Sequence, residues 1–222
     1  MKTSKVTNGL GIDCTGHDMR HYDLMGASVV RSKFDSADLY RATMEDSEFC
    51  YSSFVNCNLR EVNANEASFL GCNLYRANAA SAILMDTVLD DTDLSRAILN
   101  QVSLNNASLG DALLVGADLF DADCGGADCG EAKITNANLT NANFIWANLI
   151  GADCRGSCLK NVDLSHADLT EANFRGADLS GVNFSATVME RTDLTGAILN
   201  GVDLTNWDYN KVVGIDQAIK TD

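Results

Sequence analysis

The sequence predicts an all-β solenoid, a square parallel β-helix in which each side of the coil is five residues long. Three observations lead there. Thirty-six consecutive five-residue blocks run from Ala27 to Asn206 without an insertion or deletion. Every block centre, each fifth residue from Val29 to Leu204, is apolar. The position two residues before each centre holds only Ala, Ser, Thr, Cys or Val, and 21 of the 36 are Ala. A fixed short period of this kind is the signature of stacked repeats.

The period decides between architectures. Five matches neither a helix at 3.6 nor a flat strand at 2.0. One large and one small inward residue per five suit one side of a square: the large one fills the interior and the small one lets the corner close. Four blocks then make a coil of 20 residues, and coils stack as parallel ladders about 4.8 Å apart. With the weaker blocks centred on Cys14, Met19, Leu24 and Tyr209, the chain makes about ten coils, a rod of about 48 Å. There is no Pro among the 222 residues, as a coil that donates N–H groups to its neighbours requires. Of 17 Gly, 11 stand two residues after a centre, where a corner with positive φ favours them.

The blocks Ala117-Asp118-Leu119, Ala137-Asn138-Leu139, Ala167-Asp168-Leu169 and Ala177-Asp178-Leu179 resemble the A(D/N)LXX signature of the pentapeptide repeat family. The resemblance covers about nine tenths of the chain and implies a right-handed quadrilateral β-helix. Its functions are various, so the repeat identifies a fold and not an activity.

The expected organisation is one domain over 1–222. It comprises an N-terminal cap and irregular first coil (1–26), regular coils (27–211) and a short C-terminal helical cap (212–222). In the first segment Ile12, His17 and Tyr22 replace small inward residues. In the last, Val212, Ile215, Ala218 and Ile219 have helical spacing. Two readings of this tail stand: a cap over the last coil, or an interface for a C-terminal homodimer, as the resemblance to gyrase-protecting members of the family implies. The chain is accordingly expected to be a monomer or such a dimer. No leading apolar segment and no run of 18 apolar residues is present, so a cytoplasmic location without membrane association is expected.

Eight Cys invite a metal or disulfide reading, which the register opposes. Cys14, Cys124, Cys129 and Cys154 are block centres, and Cys57 and Cys72 take the small inward position, so they read as packed thiols. Cys50 and Cys158 point outward. No paired zinc spacing, nucleophile elbow or phosphate loop occurs. The three His (His17, His21 and His166) have no Ser, Cys or paired carboxylate at recognisable spacing. Neither an enzyme nor a cofactor is expected. The many Asp residues immediately before block centres read as solvated exterior groups.

Function is therefore sought on the exterior. The net charge of −15 falls on two adjacent faces. Face three (centres Leu24, Met44 and onward) has eight acidic residues and no Lys or Arg, and face four (Val29, Phe49 and onward) has ten acidic and three basic residues. Asp46, Glu66 and Asp86 share one position in successive coils of face three. Asp91, Asp111 and Glu131 do so on face four, with Glu171 two coils on. Like charges stacked about 4.8 Å apart repel, which points to a surface for a cationic or DNA-binding protein and argues against direct nucleic-acid binding. An apolar set, Phe120, Ile145, Trp146 and Ile150, supplies candidate contact anchors.

The leading reading is a non-catalytic rod or scaffold that binds a macromolecule through its exterior. The resemblance to members of the Qnr and MfpA type implies a specific alternative. This is a DNA mimic that binds DNA gyrase or topoisomerase IV and confers quinolone resistance. In the interior, Ala64 and Ala79 are undersized centres, and a thin core is expected at both.

Overall fold

The computed structural model describes residues 8–205, 208 and 210–220. It is a parallel β-helix in which each residue of the ladder faces its equivalent 20 residues on. The ladder starts with two three-residue strands, β1 (Asn8–Leu10) and β2 (Ser28–Val30), paired in parallel as Asn8 with Ser28 and Leu10 with Val30. From there each side of the coil contributes a single-residue parallel bridge at the position before the centre, from Asp13 with Lys33 to Asp178 with Ile198.

The repeat unit is explained by an accounting of its N–H groups. In the block 37–41, Asp38 N–H donates to His17 C=O one coil earlier (2.9 Å), and Leu39 and Arg41 N–H donate to Asn58 and Arg60 C=O one coil later (2.8 and 3.0 Å). Ala37 N–H closes the previous corner by donating to Phe34 C=O at 3.0 Å. One N–H remains, that of Tyr40, which the ladder cannot reach. It donates to the side chain of Asp38, at 3.1 Å. The same arrangement holds for Ile145 on Asn143, Thr170 on Asp168 and Thr195 on Asp193. The Asp and Asn residues before the centres are thus corner caps, and some of them, such as Asp13, Asp18 and Asn183, are exposed as well. They also link coils: Asn138 and Asn143 Nδ2 each donate to the Asp 20 residues earlier at 2.8 Å.

Three blocks that lack an Asp or Asn there find a substitute. Ser53, Ile83 and Ser108 stand at the capping position, and the N–H two residues on is taken by Asp35, Asn65 and Asp90 from the preceding coil. Burial would raise the carboxyl of Asp193, but the Thr195 hydroxyl and N–H and the Arg175 guanidinium outweigh it and hold it below the usual range. At Asp153 the hydrogen bonds from Arg155 lead the same effect.

Every fifth residue from Gly11 to Gly201 has a positive φ, whether or not it is Gly. With the preceding corner residue at negative φ, the corners whose i to i+3 bond is closed, such as Ala42 N–H to Leu39 C=O at 2.8 Å, have the form of a type II turn, and at Ser47 and Thr87 the side-chain hydroxyl donates to that carbonyl. Twenty-seven of these corner residues carry side chains, among them Asp46 (φ 55°), Glu131 (56°) and Trp146 (63°).

Inside, the centres form one continuous apolar column. Phe34, Phe49, Phe54 and Phe69 interlock near its N-terminal end. Phe34 stacks on Phe54 at 4.8 Å and Phe49 on Phe69 at 5.4 Å, with edge contacts of 5.6–5.8 Å between the two pairs. Among the centres named as weak, Met19 and Leu24 are buried, Cys14 is half-buried, and Tyr209 lies outside the described residues. All eight thiols are free. Burial pushes Cys72 and Cys129 up to about 12 and raises Cys57, Cys124 and Cys154 as well. Cys50 and Cys158 are half-buried, each 3.3 Å from a hydroxyl, of Ser68 and Thr140.

The ends differ in detail from the sequence expectation. Among the described residues the ladder is already in register at Asn8. Ile12 and Tyr22 are half-buried against the core, and His17 is exposed. At the other end only Ile215–Gln217 form a single 3-10 turn, after Gly214 at φ 68°. Val213 and Ile219 instead bridge Asp193 and Ile198. The last coil offers the N–H groups of Leu194 and Leu199, and both are taken by this tail. That demand outweighs a helix too short to be stable alone. Val212 is buried, and Ile215 and Ala218 pack on the core.

The core is thin at Ala79 and not at Ala64. An apolar void of about 10 Å³ is lined by Leu59, Val62, Phe69, Leu74, Ala79, Ala82, Leu84 and Leu89. Ala64 shares its coil with Phe54 and Phe69, whose rings take up the space. A second void of about 10 Å³ involves Cys124 and Cys129, centres smaller than Leu.

Thermal denaturation of three variants tests these contacts. Ala79→Leu stabilises by about 1 kcal/mol, whereas Ala64→Leu destabilises by about 1–3 kcal/mol through overpacking. Asn138→Ala removes the cap on Thr140 and the link to Asp118 and costs about 1–2 kcal/mol.

Candidate functional site

The corner geometry determines which side chains face outward together. Residues with positive φ stand at the outermost point of each turn, so residues 20 apart form a column along one edge of the rod. Asp46, Glu66 and Asp86 are exposed in one such column. Their backbones are held by N–H bonds to Asn65, Met85 and Asn105 C=O at 2.9–3.0 Å. Asp91, Asp111 and Glu131 are exposed in the column of the next edge. There Tyr51 leans over Gly71, and the Glu131 carboxylate takes the space that a side chain at Gly151 would need.

Cations are distributed unevenly around these columns. Arg20, Arg41, Arg155, Lys160 and Arg175 pair with Asp18, Asp38, Glu61, Asp153, Asp178 and Asp193, all on the other two faces, with centres Phe34, Phe54 and onward and Leu39, Leu59 and onward. On face four Arg191 pairs with Glu171. Among the described residues, none of the six column carboxylates singled out from the sequence has an ion pair. Asp86 accepts one neutral bond, from Asn106 Nδ2 at 3.2 Å.

The four apolar candidates do not form one patch. Phe120 and Ile150 lie on different faces and are 37% and 39% exposed, while Ile145 is half-buried. Trp146 stands apart at 67% exposed, and its indole stacks on His166 at 4.1 Å with planes 13° apart. Reading the sequence in steps of 20 would have exposed this pair; reading it block by block did not.

Among the described residues no group of three His, Cys, Asp or Glu side chains has the geometry to hold a metal ion. No described helix is long and apolar enough to cross a membrane. A cleft of about 640 Å³ near the C-terminal end is lined by Phe184, Val188, Met189, Asp208 and Lys211, among others. It holds no His or Cys that would form a nucleophilic set with Ser185.

Like charges at successive corners carry a measurable cost. Glu66→Asn keeps a residue type tolerant of positive φ and removes one charge. It raises stability by about 0.5 kcal/mol at low salt, and the gain shrinks at about 0.5 M salt, as salt-dependent melting will show.

Comparison with known proteins agrees with this geometry. The sequence model of the family described as pentapeptide repeats matches in eight copies over residues 52–91, 82–121, 97–128, 127–165 and 167–206. Comparison with curated proteins gives no match. Among solved structures, one similar chain is HetL, a pentapeptide repeat protein involved in heterocyst differentiation regulation from the cyanobacterium Nostoc sp. strain PCC 7120. It is 28% identical, with 88% of this chain and 92% of that one covered and a TM-score of 0.48. A trypsin-treated form of QnrB1, a plasmid-mediated fluoroquinolone resistance protein, is 24% identical, with 97% and 92% covered and a TM-score of 0.45. With most of its length matched by the family model, the chain belongs to the pentapeptide repeat family.

Proposed function

We propose that this chain is a non-catalytic rod that binds a cationic protein through its two acidic corner columns. One observation carries the reading: among the described residues, Asp46, Glu66, Asp86, Asp91, Asp111 and Glu131 stand without cation partners at positions of positive φ. Gly would fit those corners without strain, and Asn with less strain than an acidic residue and no repulsion. The frame is a single right-handed domain of about ten coils. Eight free thiols accord with a reducing, cytoplasmic setting.

The specific form of this reading is a DNA mimic acting on gyrase or topoisomerase IV. It is favoured by the regularity of the columns. Carboxylates about 4.8 Å apart along a straight edge present a line of charge comparable with the 3.4 Å spacing of phosphates in one DNA strand. A topoisomerase groove built for that strand is cationic.

Supercoiling by purified gyrase, with and without a quinolone, is the direct test. Inhibition or drug protection is expected at micromolar protein or below. It should weaken at least about tenfold when Asp46, Glu66, Asp111 and Glu131 are reversed to Lys. If gyrase and topoisomerase IV are unaffected, the mimic reading falls. If the reversed chain also retains the same basic proteins as the original at about 0.1 M salt, the broader reading falls with it.

A further inference from the structure

The only Gly-Gly pair in the sequence, Gly125-Gly126, occupies both outer positions of one corner on face three. Every other described corner of that face has at least one side chain there. The pair therefore cuts a notch in the edge of the rod. Asn105-Asn106 bound it one coil earlier and Ile145-Trp146 one coil later.

The walls of the notch are set in position. On one side, Asn106 Nδ2 donates to Asp86 Oδ1 at 3.2 Å, which turns its Oδ1 toward the notch. That oxygen lies 2.7 Å from the point where a Gly126 Cβ would stand, and no atom of Trp146 is within 4 Å of it. On the other side, Trp146 is backed by His166 at 4.1 Å. The stack covers one face of the indole and leaves the other toward Gly126. The corners at 106 and 146 are two ladder spacings apart, about 9.6 Å. That interval is of the size that one planar group would need between the indole and the Asn106 carboxamide. At the inner end, Asp123 Oδ1 is occupied by Gly125 N–H and Asn143 Nδ2, and Asn105 Nδ2 lies 3.2 Å from where a Gly125 Cβ would be.

We propose that this notch receives one arginine side chain of a basic partner. Its guanidinium lies flat on the open face of Trp146, with the Asn106 carboxamide on its far side. The inference rests on the cationic-partner reading above and adds a point of selectivity to it. A guanidinium is planar, stacks on aromatic faces and carries donors along its edge, whereas an ammonium is a point charge that does neither as well. Face three supplies no Lys or Arg of its own to fill the place, and Asp86, Glu66 and Asp46 continue the column beyond Asn106 to receive further cations.

The test uses hexa-arginine and hexa-lysine as probes on the full chain carrying Trp207→Phe, so that Trp146 is the only indole. Hexa-arginine is expected to change Trp146 emission and to bind at least about fivefold more tightly than hexa-lysine. Gly126→Asn fills the notch with a residue type that already holds positive φ at Asn106 and Asn136. It should weaken hexa-arginine about tenfold, as should Trp146→Leu, and bring the two peptides to parity. Circular dichroism melting of both variants checks that the coil is intact. Asp46→Asn with Glu66→Gln should instead weaken both peptides equally. Equal binding of the two peptides by the unaltered notch, or no effect of Gly126→Asn in a folded chain, overturns the arginine site while leaving the acidic columns in place. Failure of both peptides to bind overturns the two readings together.

Discussion

The corner is the constraint on which everything else in this molecule depends. A parallel ladder can turn through a right angle every five residues only if one residue per corner adopts a left-handed conformation. All in-register corners from Gly11 to Gly201 do so. For a residue with a Cβ this conformation costs about 1 kcal/mol. The chain carries it 27 times, so the ladder bonds and the burial of one large centre per block must outweigh it throughout. Because the left-handed corner recurs at every fifth residue, a block of four or six residues has no place, which is why the register runs unbroken.

The corner also explains the composition of the repeat. Four of five N–H groups are served by backbone carbonyls. The fifth faces outward and needs an oxygen two residues behind it, which Asp and Asn supply. At Ser53, Ile83 and Ser108 a carboxylate or amide one coil earlier fills the role. The acidity of the chain is thus of two kinds. Asp153, Asp178 and Asp193 are caps, half-buried, hydrogen-bonded and paired with cations. Asp46, Glu66 and Asp111 belong to exposed columns and do no structural work of that sort.

Much of this was legible in the sequence, because the five-residue period determines position, face and column at once. The register from Ala27 to Asn200, the buried thiols and the thin core at Ala79, though not the one expected at Ala64, could be read by counting. What could not be read depended on directions of bonds rather than on positions. The capping role of the Asp and Asn residues follows from where one N–H points. The tail was assigned helical spacing from Val212, Ile215, Ala218 and Ile219, yet ladder donors on the previous coil draw Val213 and Ile219 into bridges. The Trp146–His166 stack and the Gly125-Gly126 notch join residues 20 or 40 apart, and they emerge only when the chain is read along its edges.

The hydrogen bonds of this rod join residues 2, 3 or 18 to 23 apart in the chain. Each coil therefore touches only the coils beside it, and stability is a sum over neighbours. Such a molecule resembles a ruler more than a lever. Strain introduced by a partner at one level dies out within a coil or two, and the spacing of charges elsewhere along the edge stays fixed. Occupancy at one end is not transmitted to the other, so several contacts along an edge can be made independently, each with the full affinity of its own site.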